Sequence, residues 1–270
     1  VVSKGNQADN AELVREQFTK TAEVFGNFAV ATRGGEAAKL AEMVRASKAD
    51  RVIDVACGPG TLALRFAPQV RWACGVDLTP AILQRAKQTA AAEGLANLVF
   101  TIGDAHRLPF ADNSLDIAIT SYALHHMPDA PRVIAEMARV VRPGGRVGVA
   151  DIRVEEDSAV AELNNRIERI RDASHTRTMS RSEYERAFRA AGLRVTGQQI
   201  HENARQFDHW LHVAGWHPGD AAHEEARRLM ESTIENDGAG FHPRYEPHSA
   251  GAEIELMITN TTLLIAGEKA

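Results

Sequence analysis

Two aspartates and a run of small residues define the chemistry this chain can do. Asp54-Val55-Ala56-Cys57-Gly58-Pro59-Gly60-Thr61 joins a short apolar run to a helical one. Small residues at 56, 58 and 60 let the backbone turn tightly and let a ligand lie against it. The helix that follows offers its free N–H groups to an anion. Asp77 stands nineteen residues after Gly58, at the end of the next apolar run. A carboxylate there can accept hydrogen bonds from both hydroxyls of a ribose. The pattern points to an adenosine-containing cofactor. Gly58-Pro59-Gly60-Thr61-Leu62-Ala63 also fits the dinucleotide pattern GxGxx(G/A), so the loop alone leaves NAD open.

The elements that must position these residues follow from periodicity. Strands are expected at 51–56, 72–77, 98–102, 115–120 and 146–151, with amphipathic helices between them. The apolar runs do not alternate with polar residues, as suits strands covered on both faces. Thr79-Pro80 and Asp129 read as helix starts, and Gly94 and Pro143-Gly144-Gly145 as stops. Strand–helix alternation with short turns gives an α/β fold with a doubly wound, mostly parallel, seven-stranded sheet. Before it, Leu13, Val14, Phe18, Val24, Phe25 and Phe28 predict a helix, and a second leads to about residue 48. After it, helices are expected near 157–172, 181–192 and 221–235, and strands near 193–200 and 254–267. The expected organisation is N-terminal helices over the cofactor site (1–48), a cofactor-binding core (49–152), a lid and acceptor region with the sixth strand (153–253), and a closing strand (254–270).

Composition narrows the function classes. The 270 residues are 44% hydrophobic and 25% charged, an ordinary globular balance. Thirty-one Lys and Arg against 36 Asp and Glu give a net charge of -5, which argues against nucleic acid as the main partner. Two cysteines, Cys57 and Cys74, make no disulfide framework, and no apolar run reaches the length of a membrane span. A cytoplasmic protein is the expectation.

Three further motifs separate the cofactor readings. Gly103-Asp104-Ala105 follows the third strand, and a carboxylate there can bind an adenine amine. Leu115 to His126 forms a fourth strand and its exit loop, Ser121-Tyr122-Ala123-Leu124-His125-His126. Arg142-Pro143-Gly144-Gly145 precedes the fifth strand. This ordered set resembles the class I S-adenosylmethionine-dependent methyltransferases, above all the group that includes the ubiquinone/menaquinone-biosynthesis C-methyltransferases and many small-molecule methyltransferases. The likeness covers about residues 45–152, with a looser match from Phe18 to Phe25.

The resemblance implies S-adenosylmethionine as cofactor. It places Ala56, Gly58 and Gly60 along the cofactor's methionine and ribose part, Asp54 beneath it, and Asp77 on the ribose. Leu78 packs on adenine, with Asp104 and Ala105 at its polar edge, and Ser121 faces the methionine end. Phe25 stands where relatives often have a Tyr, and Ala56 where the first Gly is commoner. The loop after strand four differs from that of the quinone enzymes, so quinone specificity is not implied.

Methyl transfer requires alignment and exclusion of water, and a base only when the acceptor arrives protonated. Candidate bases are His125, His126 and His175, and Arg177 could steer an anionic group; His126, His175 and Arg177 form the expected catalytic set. Each also has a structural alternative, as a loop-bonding histidine or a solvated charge. Seven histidines between 201 and 248, with Trp210, Trp216 and Tyr245, suggest a lid over an aromatic or planar small-molecule acceptor. His209 and His212 have a metal-sharing spacing but no accompanying HExxH or Cys ligand, so no metal is expected. The competing readings are a nucleic-acid methyltransferase, a non-catalytic S-adenosylmethionine-binding module and an NAD-dependent oxidoreductase.

Overall fold

The computed structural model describes residues 12–13, 34–247 and 254–270. Phe25, most of the first expected helix, the 18–25 match and His248 lie outside the described residues.

Helix α1 (Gly34–Met43) precedes the core, which alternates β1 (Arg51–Val55), α2 (Thr61–Phe66), β2 (Trp72–Asp77), α3 (Pro80–Ala92), β3 (Leu98–Ile102), β4 (Leu115–Ser121), α4 (Ala130–Val140) and β5 (Val141–Ile152). Next come α5 (Ser158–Arg171), α6 (Arg181–Ala190), β6 (Leu193–Gln206), α7 (Phe207–His212), α8 (Ala221–Glu231), β7 (Arg244–Pro247) and β8 (Ile254–Lys269). The sheet runs β3-β2-β1-β4-β5-β8-β6. The first five strands are parallel, and β8 lies antiparallel between β5 and β6. These are the seven expected strands; the short β7 adds an eighth, pairing with β8.

β1 has β2 on one side and β4 on the other, so strand order reverses between β1 and β4. In open α/β sheets the crevice for a ligand opens at such a reversal, at the strands' carboxyl ends. The 56–60 loop and the 121–126 loop flank this crevice.

Alternate residues on each strand feed two cores. Ile53, Val55, Val147, Val149, Leu263 and Ile265 pack with α4 and α6. Val52, Ile117, Ile119, Ala150 and Leu264 pack with α1, α2 and α3. A third cluster, centred on Phe207, Trp210, Met230 and Phe241, sits among α5, α7 and α8. Asp129 caps α4 by accepting from Arg132 N, and Ser180 with Glu183 forms a capping box on α6.

Two strands differ from expectation. β5 begins at Val141 instead of 146: Leu115 pairs with Val141, the register then shifts, and Pro143-Gly144-Gly145 is taken up before Ile117 meets Arg146. β6 extends to Gln206 because thirteen of its residues pair with the long β8.

Gly75 in β2 lets the sheet approach its cover closely. A Cβ there would lie 2.6 Å from Phe100 Cδ1 and 2.7 Å from Cys57 Sγ. Gly75→Ala is expected to cost about 1–3 kcal/mol by overpacking. Urea unfolding tests this, and an unchanged midpoint would contradict it.

Candidate functional site

The cofactor loop is built from backbone that most side chains avoid. Ala56, Gly58 and Gly60 all take positive φ, at 53°, 52° and 82°. At Ala56 this costs about 1 kcal/mol that a glycine would largely escape, so the substitution of Ala for Gly is accommodated under strain. A Cβ on Gly58 would meet nothing within 4 Å, whereas one on Gly60 would press on Phe100 at 3.0 Å. The loop is packed from behind at Gly60 and open in front at Gly58.

Two carboxylates fix this loop. Asp77 Oδ2 accepts from Gly58 N (2.9 Å) and Oδ1 from Thr79 N (2.9 Å), so the end of β2 is tied to the glycine turn. Burial raises the Asp77 carboxyl above its usual range, opposed by these amide donors. Asp54, 2% exposed, accepts from Ala63 N in the first turn of α2 (2.9 Å). Burial pushes its carboxyl up to about 8, Ala63 N–H works against this, and the Asp77 charge adds to it.

The stability consequence has a definite sign. Folded Asp54 holds its proton up to about pH 8, while an unfolded Asp loses it near pH 4. The contribution is fully present below about pH 4 and lost as pH rises toward 8. Asp54→Asn should flatten the pH dependence of the denaturation midpoint across that window; an equally steep fall in the variant would contradict the assignment.

The remaining expected cofactor residues gather around the same crevice. Leu78 follows Asp77 and is half-buried; Ala105 is 7% exposed, next to Asp104. Asp104 Oδ1 accepts from His106 Nδ1 and N, and this partner lowers its carboxyl below the usual range. His106 Nε2 is buried without a partner among the described residues. Ser121, at the end of β4, lines a narrow recess with Thr61, Leu62, Glu36 and Tyr122. Thr61 Oγ1 is likewise shielded and unpartnered among the described residues. An open glycine turn, a tethered carboxylate at the strand end and an unsatisfied hydroxyl fit the ribose and amino-acid parts of an adenosyl cofactor.

Three buried histidines cluster where the loop after β4 meets the loop after α5. His125 Nδ1 lies 2.6 Å from Asp151 Oδ1 at the end of β5. Asp151, 1% exposed, also accepts from Leu124 N, His125 N and Ile152 N. A carboxylate beside Nδ1 makes that nitrogen the donor and leaves Nε2 as the basic one. The His126 ring lies 4.1 Å from that of His125, and its Nδ1 is 3.0 Å from Ser174 Oγ, which donates to Asp172 Oδ1 at 2.6 Å. His175 Nε2 donates to Asn165 Oδ1 (2.9 Å), an atom that also accepts from Thr178 N. Burial and the neighbouring His125 hold both His126 and His175 below the ordinary imidazole range.

Arg177 stands apart from this cluster. Its guanidinium pairs with Glu183 at 2.6 Å, on an outward groove of about 330 Å³ that shares no wall residue with the recess at Ser121. Its backbone N–H nonetheless bonds His125 O (3.2 Å), as do Thr176 N and Oγ1 (both 2.9 Å). The 172–178 loop is therefore stitched to the 122–127 loop.

The lid tryptophans are used in packing, whereas Tyr245 is half exposed. Trp210 is 3% exposed, against Phe241 and beneath Arg171, and Trp216 Nε1 donates to Arg171 O. Tyr245 Oη donates to Glu231. His212 faces His217, and among the described residues no group of three His, Cys, Asp or Glu could hold a metal ion. Among those residues no helix is long and apolar enough to cross a membrane.

Residues 46–208 match a methyltransferase-domain family model. The uncharacterized methyltransferase YcgJ of Bacillus subtilis is 32% identical over 231 residues, covering 82% of this chain and 91% of YcgJ. Its crystal structure superposes with a TM-score of 0.79 over 87% of this chain and 98% of that one, at 29% identity. The 27-O-demethylrifamycin SV methyltransferase of Amycolatopsis mediterranei is 35% identical over 57% of this chain and 58% of its own. The ubiquinone/menaquinone biosynthesis C-methyltransferase UbiE of Dinoroseobacter shibae is 44% identical over 38% of this chain and 42% of its own.

Proposed function

The chain belongs to the methyltransferase-domain family and is a methyltransferase; from that premise we propose that it carries a methyl group from S-adenosylmethionine to a small-molecule acceptor, with His125 as base. The observation that carries the second half is the buried His125–Asp151 pair at the carboxyl ends of β4 and β5. S-adenosylmethionine supplies an electrophilic methyl group, and the transfer is an in-line displacement.

The chain's own residues bind, align and deprotonate. Asp77 takes the ribose hydroxyls, since Gly58 N and Thr79 N hold its carboxylate at the end of β2 and each oxygen accepts more than one hydrogen bond. Ala56, Gly58 and Gly60 let the backbone lie along the cofactor, Leu78 and Ala105 flank the adenine, Asp104 meets its polar edge, and Thr61 and Ser121 meet the amino-acid end.

On the acceptor side His125 is the base because, in the loop after β4, its Nδ1 meets the Asp151 carboxylate directly at 2.6 Å. Asp151 fixes its tautomer and stabilises the imidazolium formed when the acceptor's proton is taken up. His126, 4.1 Å away, stays neutral at that moment because two like charges at that distance repel. His175 and Arg177 hold the loop that carries Thr176 against His125 O. A nucleic-acid acceptor is disfavoured by the net charge of -5. The lid tryptophans, being packed, lend little support to a planar acceptor.

Methyl-labelled S-adenosylmethionine, offered with a panel of small molecules or with tRNA and duplex DNA, tests this reading. Label is expected on small molecules; label on nucleic acid alone would overturn it.

A further inference from the structure

Two residues of the recess at Ser121, Glu36 and Tyr122, bond to a second, polar wall. β6 and β8 run past the carboxyl ends of the parallel strands as a two-stranded arm, and their register sets His201 opposite Thr262, Asn203 opposite Asn260 and Arg205 opposite Ile258. Residues two apart share a face, so these side chains form one patch. Glu36 and Tyr122, which line the recess beside Ser121 and Thr61, reach onto it. Tyr122 Oη donates to Glu36 Oε2 at 2.6 Å and lies 2.9 Å from Thr262 Oγ1. Asn203 Nδ2 lies 3.4 Å from both Glu36 Oε1 and Thr262 Oγ1.

Two atoms on this patch are shielded from solvent and lack a partner among the described residues: Asn260 Oδ1, on a residue 8% exposed, and His201 Nε2. A buried polar atom left unpaired destabilises a fold, and an apolar residue of similar shape would remove the penalty. On the same face of β8, Ile258 and Leu264 show that apolar side chains fit such positions. The stability forgone is therefore best explained by a ligand that supplies the missing partners.

We propose that this wall binds the methyl acceptor and that the acceptor is an uncharged, hydroxyl-rich small molecule. One of its hydroxyls donates to Asn260 Oδ1, and a second meets His201 Nε2, which works as donor or acceptor according to its tautomer. Glu36 and Arg205 bring one charge of each sign to the patch, so an ionic acceptor gains from one and is opposed by the other. The inference rests on the methyltransferase reading above.

Asn260→Leu and His201→Phe test it, compared with wild type in three measurements. These are thermal unfolding without ligand, calorimetric affinity for S-adenosylhomocysteine, and methyl transfer to myo-inositol, glucose and 4-nitrophenyl glucoside against geraniol and indole. Asn260→Leu is expected to keep S-adenosylhomocysteine affinity within twofold and to unfold about 2–4 °C higher. It should also raise KM for the hydroxyl-rich probes at least tenfold. A lower melting temperature in Asn260→Leu would show the amide to be satisfied within the fold and would overturn the inference. So would efficient transfer to geraniol or indole that neither variant alters. The melting test decides even if no probe in the panel is methylated. Failure of the wild type to bind S-adenosylhomocysteine would instead strike the methyltransferase reading.

Discussion

His125→Gln is expected to lower kcat by about 10²–10⁴-fold on a hydroxyl or amine acceptor, the usual contribution of a positioned general base. Affinity for S-adenosylmethionine should be unchanged, because the His125 ring bonds Asp151 and its carbonyl the 172–178 loop, neither of which belongs to the glycine turn. Asp151→Asn should cost nearly as much. An amide can accept from His125 Nδ1 as the carboxylate does at 2.6 Å, but it lacks the charge that stabilises an imidazolium. It must also still receive Leu124 N and Ile152 N, so its NH₂ group faces donors wherever it points. Both variants keep the loop's other anchors, including Thr176 Oγ1 to His125 O and Met127 O. Circular dichroism and S-adenosylhomocysteine binding would confirm that the fold survives. If kcat stays within threefold of wild type in both, His125 is a packing residue and the acceptor needs no base from this pair.

Asp77→Ala should weaken binding of S-adenosylmethionine by about 10²-fold or more. Two hydrogen bonds from ribose hydroxyls to a carboxylate are worth ~1.5–3 kcal/mol each, and ~3 kcal/mol is about two decades in Kd. The same substitution frees Gly58 N and Thr79 N, which loosens the turn and adds to the loss. Asp77→Asn separates the two contributions, because its amide oxygen can still accept one backbone N–H. It is expected to fall between wild type and Asp77→Ala in calorimetry. Equal affinity in all three proteins would remove Asp77 from the site.

The proposed cofactor half of this site is legible in sequence because its residues are nearly contiguous. The turn at 56–60 must carry its own small residues, and the distance from Gly58 to Asp77 is one helix and one strand, so spacing encodes the contact. The inner strands are legible because two-sided burial leaves unbroken apolar runs, whereas β3, at the sheet edge, carries such a run with Val99 and Ile102 exposed. The proposed acceptor half is not legible, since its partners are brought together by topology. Asp151 meets His125 across 26 residues only because β4 and β5 are neighbours. Glu36 meets Tyr122 across 86 residues through the packing of α1 on the sheet. In the sequence Asp151 is merely the polar end of an apolar run. A carboxylate closing the strand beside a His-bearing loop was the one signal that could have marked it. The extent of β6 was hidden for a similar reason. His201 to Gln206 is polar and reads as loop, yet pairing with β8 supplies its backbone partners.

The central claim is that the crevice between β1 and β4 holds an adenosyl cofactor with a methyl group to give. Titration calorimetry of the purified protein with S-adenosylmethionine, S-adenosylhomocysteine, NAD and NADP side by side tests it most directly. Saturable heats are predicted for the two adenosyl-sulfur ligands and none for the nicotinamides. Binding of NAD or NADP alone would contradict the account and make the 58–63 turn a dinucleotide loop.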